Sequence, residues 1–370
     1  MKKCLHLVSF DIPYPPNYGG IIDVFFKIKE LHKLGVAVYL HTYIFDNKVE
    51  QAELKKYCKE VFYYKRKNTL LSLFSRLPFR VESRSSKKLI ATLKSNDIPI
   101  VFEGLHTVFP LKNNAFKKAY VRTHNIEHTY FLGLFKSEKN LFKKVFYYAE
   151  SKKLKKFESV LKKAAGIFTI SKFDQQHFSK LYGKKTMYIP VFHDAKQSKI
   201  TSKKGSFILY HGDLRVADNV RAAMFLVDVY KESPYKLIIA SSCKNKTVLK
   251  EINKHEDIFF KDIPTQKSLT ILLQQAQVNA LFTFQKTGIK LKLLNTLHQG
   301  KHVVANSKMI EDTGLENLCE LANTKQELLQ VTEALFKTAF SENQVKARKY
   351  ELDKFNPTLN AQKMIDIIFK

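Results

Sequence analysis

A rhythm that runs through the chain twice is the feature that most limits what it can fold into. Short apolar runs ending in glycine or a polar turn alternate with longer stretches of helical spacing. Residues 4–10 read as a buried strand, followed by a loop holding Pro13, Pro15, Pro16, Gly19 and Gly20. From Ile21 to Leu34, apolar residues recur at Ile21, Val24, Phe25, Ile28, Leu31 and Leu34, one face of a helix that Gly35 stops. Val36–Tyr43 is again strand-like, and Pro99–Phe102, Ala119–Arg122 and Gly166–Ser171 continue the series. The pattern restarts at Ser206–His211, which ends at Gly212, and Asn219–Tyr230 is helical. Strands are expected at Tyr235–Ala240, Val278–Thr283 and His302–Asn306, with a helix over Lys290–His298 capped by Gly300. Such alternation predicts an α/β fold with parallel sheets covered by helices. Its repetition predicts two Rossmann-like doubly wound domains facing each other across a cleft. The expected boundaries are 1–193, a polar linker at 194–205 (DAKQSKITSKKG), 206–350, and a closing segment 351–370 with an amphipathic helix from Pro357 to Lys370.

Composition removes several classes. At 370 residues the chain is long enough for two domains of about 150 residues and needs no staple. Cys4, Cys58, Cys243 and Cys319 are scattered without a CxxC pair. That argues against a disulfide framework or zinc knuckle and for a reducing cytoplasm. No apolar run reaches the ~18 residues a membrane span requires. The basic, then apolar start meets Asp11 and Pro13 before any cleavage site, so it reads as a first strand rather than a signal peptide. Lys and Arg number 63 against 34 Asp and Glu, a formal charge of +29. This excess suits an anionic partner, either a phosphorylated substrate, an acidic membrane face or a nucleic acid, and equally a lysine-rich coding bias. No RNP-like, KH or zinc-finger motif accompanies it, so no nucleic acid is expected as partner.

In doubly wound sheets ligands bind just beyond the carboxyl ends of strands. Five such places carry chemistry. Gly19 and Gly20 precede a helix whose first amides are free, which suits phosphate or sugar, or else a bare tight turn. The pair is not GxGxxG, which disfavours a nicotinamide oxidoreductase. Arg122-Thr123-His124-Asn125-Ile126-Glu127-His128 follows a strand, and His124 there suits a sugar hydroxyl or a proton near neutral pH. The plainer alternative is that Asn125 and Glu127 only cap the next helix. Glu103 and His106, beyond another strand, should open onto the same cleft as Arg122, Asn125 and Glu127 and contact substrate. In the second half, Gly212-Asp213-Leu214-Arg215 leads into a helix, with Arg215 or Arg221 available to phosphate, or Asp218 or Asn219 acting simply as a cap. Last, Gly288 precedes a helix whose first turn carries Lys290 and Lys292. Cations there oppose the helix dipole, which a bound anion would offset; solvated surface lysines are the alternative.

Five pieces in order, PPNYGGIIDVFFKIKELHKLG, RTHNIEHTYF, AAGIFTISKFD, YHGDLRVADNVRAAMFL and TGIKLKLLNTLHQGKHVVAN, resemble the glycosyltransferases of the GT-B fold, family four in the usual classification. All five lie within the stretch from Pro13 to about Gly314. The resemblance implies transfer of a sugar from a nucleotide-sugar donor, with retention and without a metal or other cofactor. The donor would lie mainly on the second domain and a glycan or lipid-linked acceptor on the first. Gly19 and Gly20 would touch the donor phosphates, and His124 the donor sugar, supporting its oxocarbenium character. Gly212, Asp213 and Arg215 would flank the diphosphate, Gly288 to Lys290 would bind the leaving phosphates, and Asn295 would face the ribose. The closing helix would return to the first domain. The chain departs from the pattern at Thr287 and Asn295, where two glutamates are usual, and at Asp213, where arginine is. Lys290, Lys292 and Arg215 would then neutralise the diphosphate. A non-catalytic partner on the same fold is the alternative.

Lys136 to Lys163 holds ten lysines and three glutamates. Phe142, Val145, Phe146, Ala149, Leu154, Phe157, Leu161 and Ala164 recur roughly at helical spacing and are expected to pack on the core. The lysines would face out, toward solvent or the anionic inner face of a membrane, where each basic residue near the surface contributes ~1 kcal/mol.

Overall fold

The computed structural model describes residues 3–17, 19–45, 48–67, 72, 75–194, 203–286, 288 and 291–370. Thr287, Lys290 and linker residues 195–202 lie outside the described residues. The first half runs β1 (Cys4–Val8), α1 (Gly19–Lys33), β2 (Ala37–Ile44), β3 (Glu60–Lys65), α2 (Phe79–Glu82), α3 (Lys87–Lys94), β4 (Ile100–Glu103) and β5 (Ala119–Thr123). It continues with α4 (Glu127–Ser137), α5 (Leu141–Phe157), β6 (Gly166–Thr169), α6 (Lys172–Tyr182) and β7 (Thr186–Tyr188). The second half runs β8 (Phe207–His211), α7 (Ala217–Tyr230), β9 (Lys236–Ser241), α8 (Lys246–Ile252), β10 (Ile258–Asp262), α9 (Gln266–Gln275) and β11 (Val278–Leu281). Then come α10 (Leu291–Gln299), β12 (His302–Ala305), α11 (Ser307–Ile310), β13 (Glu320–Leu321), α12 (Lys325–Lys337), α13 (Glu342–Leu352) and α14 (Pro357–Ile368).

Among the described residues the strands form two parallel sheets. One has seven strands in the order β3-β2-β1-β4-β5-β6-β7, the other six in the order β10-β9-β8-β11-β12-β13. The architecture is therefore α/β with two Rossmann-like doubly wound sheets. Strand order reverses between β1 and β4 in the first sheet and between β8 and β11 in the second. Those are the positions at which connecting loops diverge and leave a crevice at the strands' carboxyl ends.

Each sheet has its own core. Leu5, Leu7, Val24, Ile28, Val38 and Leu40 are buried in the first, and Ile208, Leu226, Ile239, Ala280 and Val304 in the second. Helix α14 belongs to the first core: Ala361, Met364, Ile365 and Ile368 pack with Leu5 and Val24. Asn356 caps its start through Thr358 and Leu359, with Pro357 in the first turn. Thr358 Oγ1 donates to Glu30 Oε2 of α1 at 2.8 Å, and Lys363 Nζ donates to the Tyr188 carbonyl at 2.9 Å.

Helix α5 departs from expectation. Phe142 and Val145 do not pack on the core. Phe142 is 89% exposed and Val145 70%, and Leu141 beside them is 75% exposed. Leu154 and Leu161 do pack there. The apolar positions of this segment therefore divide between two faces, because the inner face turns away from Phe142 at the start of the helix. No described helix is long and apolar enough to cross a membrane.

Candidate functional site

A cleft of about 570 Å³ opens where the two switch points meet. Phe10 follows β1, Gly104 and His106 follow β4, and His124 and Asn125 follow β5; from the other sheet, Asp213, Arg215 and Val216 follow β8, and Leu291 opens α10. Gly19, Gly20, Glu127 and Asn219 also line the cleft. Residues far apart in sequence thus converge from both halves, because the loops at both sheets' carboxyl ends point at one another.

Gly20 permits a close approach. A Cβ there would sit 2.6 Å from Phe10 Cζ and 3.6 Å from His124 Nδ1. Any side chain would fill the space between the ring and the imidazole. His124 is held from behind: its Nε2 lies 3.0 Å from Glu103 Oε2. The imidazole is thereby fixed with its other nitrogen on the Gly20 side.

Beneath His124 lies a buried square of charges. Asp23 receives Arg122 through both oxygens at 2.7 Å and Lys27 Nζ at 3.0 Å. Lys27 also reaches Glu103 Oε1 at 2.8 Å. Burial alone would raise the Asp23 and Glu103 carboxyls. Arg122 and Lys27 outweigh it at Asp23, and Lys27 and His124 at Glu103, so both are held below the usual range. Arg122 also donates to the carbonyls of Ile189 and Pro190 at 3.1 and 2.9 Å, and Phe192 N donates to Asp23 at 2.8 Å. The square therefore ties α1, β4 and β5 to the segment leading out of the first domain. Asp23, Glu103 and His124 each bring a ligand-type atom within 4.8 Å of the others. Two fixed cations already neutralise these carboxylates, so the group reads as an ion-pair hub.

This placement corrects two expectations. Arg122 and Glu103 do not meet substrate: both are wholly buried under the floor of the cleft, and each serves the hub. Both lie at the carboxyl ends of strands, Glu103 in β4 and Arg122 in β5, where a charged side chain can point inward as readily as outward, and the sequence alone does not distinguish the two. Asp23 and Lys27 were missed as well. Their one signal was two opposite charges four apart among the apolar positions of α1.

His106 and Glu127 do line the cleft, with His106 Nε2 3.3 Å from Glu127 Oε2. Burial lowers the His106 pKa against the pull of Glu127. Burial would raise Glu127, but His106 and Arg80 together bring it below its ordinary value.

In the second half, Asp213 and Arg215 line the cleft and pair with each other, Arg215 Nη2 at 2.7 Å from Asp213 Oδ2. Lys292 stands one layer back, donating to Asn219 Oδ1 at 3.0 Å above the Tyr210 ring. Asn295 is half-buried on α10, one turn beyond the cleft-lining Leu291. Gly212 packs against Asn219 and the Tyr210 hydroxyl. Gly288 is brought to the first domain rather than to the cleft: its N donates to Asp174 Oδ2 at 3.2 Å. Its φ is +73°, and a Cβ would lie 2.3 Å from Asn125 Oδ1. Gln285 likewise lies against Gly133 of α4. Lys290 is outside the described residues.

No protein-family model matches the chain. A protein of Klebsiella pneumoniae, described as an uncharacterized 44.6 kDa protein in the cps region, is 28% identical over 345 residues, covering 87% of this chain and 88% of its own. Among solved structures, the sucrose-phosphate synthase of Thermosynechococcus elongatus superposes with a TM-score of 0.69 at 14% identity, covering 99% of this chain and 98% of its own. HepE of Anabaena, solved with UDP and glucose, gives 0.68 at 13% identity, covering 99% of each chain. At such identities the likeness is one of fold, and that fold is GT-B, the fold of glycosyltransferases.

Proposed function

We propose that this chain is a glycosyltransferase that moves a sugar from a nucleoside-diphosphate donor to a glycan or lipid-linked acceptor in surface polysaccharide or lipopolysaccharide synthesis. The observation that carries the reading is the convergence of Gly20 and His124 with Asp213, Arg215 and Leu291 on one cleft between two doubly wound domains. The cps-region relative and the UDP-bound neighbour agree with it. Transfer exchanges the anomeric carbon's bond to the diphosphate for a bond to an acceptor oxygen, and the acceptor proton leaves with the diphosphate. His124, oriented by Glu103, faces the donor sugar. Arg215 and backbone amides at the start of α10 stabilise the departing diphosphate, with Lys292 adding its charge from one layer back. Retention and independence of metal belong to this proposal; the neutralised Asp23–Glu103 hub favours the second.

The test is calorimetric titration with UDP, GDP and ADP, followed by donor hydrolysis across a panel of nucleotide sugars. Binding of none of the three would overturn the reading. A second reading, a non-catalytic partner on the same fold, draws on Asn295 standing where a carboxylate is usual. Donor binding without turnover in the presence of the acceptor would select it.

The work would take place on the inner membrane face. Leu141, Phe142, Val145 and Tyr148 form an exposed apolar ridge on α5. Lys139, Lys143, Lys144 and Lys152 flank it. An apolar ridge set among lysines suits an anionic leaflet.

A further inference from the structure

The hub and the second-domain loops leave one part of the cleft without a role: the wall formed by Phe10, Arg80, His106, Glu127 and Tyr130. Its chemistry is specific. Arg80 is half-buried, its guanidinium carbon 5.1 Å from the Phe131 ring centroid. Among the described residues its guanidinium has no hydrogen bond and no ion pair. Its place is fixed nonetheless. Both Glu150 oxygens accept from the backbone of α2, from Phe79 N at 2.9 Å and Arg80 N at 3.1 Å. Arg84 Nη1 donates to the Arg80 carbonyl at 2.8 Å.

Arg84 adds a second charge behind the first. It is buried, and its guanidinium donates to the Phe10 and Arg80 carbonyls and to Ser83 Oγ. No carboxylate takes it in an ion pair among the described residues. Burial first, then the charges of Arg66 and Arg80, bring its pKa down to about 9. Among the residues that form the wall itself Glu127 is the one carboxylate, and it already faces His106; Glu150 and Asp11 act on the two guanidiniums from behind.

Glu127 supplies the second half of the argument. It is 3% exposed, yet Oε1 has no hydrogen-bond partner among the described residues. An unmade bond at a buried carboxylate oxygen is costly, and a ligand hydroxyl would satisfy it. A free cation beside an unmatched acceptor describes a ligand that offers an anion and a hydroxyl together.

We infer that this wall is an acceptor subsite for an acidic sugar, either a sugar acid or a sugar phosphate. Arg80 takes the anionic group, and Glu127 Oε1 takes a hydroxyl proton. The inference rests on the glycosyltransferase reading, and the experiment separates the two. The full chain is first titrated with UDP, GDP and ADP. The complex with whichever binds is then titrated with glucose, glucuronate and glucose 6-phosphate. At least one acidic sugar is expected to bind about ten-fold or more tighter than glucose, because a charge-assisted bond is gained. Arg80→Gln should erase that preference and Arg80→Lys keep part of it. Nucleoside-diphosphate affinity should stay within about two-fold in both variants, which also shows that they fold. Equal binding of glucose and the acidic sugars, no binding of the acidic sugars, or a preference that survives Arg80→Gln would overturn the subsite. So would a preference for UDP-glucuronate over UDP-glucose that Arg80→Gln abolishes, since the anion would then belong to the donor. Failure of every nucleoside diphosphate to bind would overturn the parent reading instead.

Discussion

At the scale of single residues, the hub beneath His124 and the pair at Arg215 are both ion pairs, but burial separates their worth. Arg122 and Asp23 are wholly enclosed, so removing one leaves the other charge stranded in the interior. Arg122→Ala should cost about 3–5 kcal/mol, read as a lower urea midpoint. Arg215 and Asp213 meet at the surface, and Arg215→Ala should cost under about 1 kcal/mol. Comparable losses at the two sites would refute the distinction. His124 can be tested apart from stability. If it supports the developing charge of the donor sugar, His124→Ala should lower turnover about 100-fold or more, with nucleoside-diphosphate affinity little changed. Equal loss of both would place it in binding alone.

At the scale of elements, the Gly288 turn and α5 carry the sharpest expectations. Gly288 has positive φ and no room for a Cβ against Asn125. Gly288→Ala therefore puts about 1–3 kcal/mol of strain on the contact between domains. Small-angle scattering should then show a larger radius of gyration, and an unchanged radius would mean that this contact does not hold the halves together. For α5, Phe142→Glu with Val145→Glu should release the protein from phosphatidylglycerol vesicles in a sedimentation assay. Wild-type binding to phosphatidylcholine alone should be weak, and equal binding to both lipids would contradict the charge argument. Elements differ in how much of them the sequence discloses. Central strands such as β1, β4 and β8 are buried on both faces and read as apolar runs, and α1 shows its period. The edge strands β3, β10 and β13 escape that reading because most of their residues meet water; both residues of β13 are exposed. The loops of the cleft were legible at Gly20 and His124, whereas Gly288 offered the same signal and packs on the first domain. Arg80 was not legible, since its position depends on Glu150, which is seventy residues away and holds it through the backbone.

At the scale of the whole molecule, buried imidazoles set the response to acid. Burial first, then neighbouring positive groups, brings His41 and His211 to about 3 and His298 to about 4. Each stays neutral in the folded chain, whereas the unfolded chain takes up the proton near pH 6.5. Their folded values are depressed, so stability is full above about pH 6.5 and falls as pH drops toward those values. At pH 5 each costs up to about 2 kcal/mol. Urea midpoints should fall steeply between pH 7 and pH 5, and a flat profile would show the imidazoles to be solvated. The same scale gives α14 its meaning. It leaves the second domain and completes the core that β1 began. During synthesis, then, β1 and its neighbours wait with an apolar flank uncovered until α14 follows the second domain out of the ribosome. Both domains are made in order, but the first is completed only after the second.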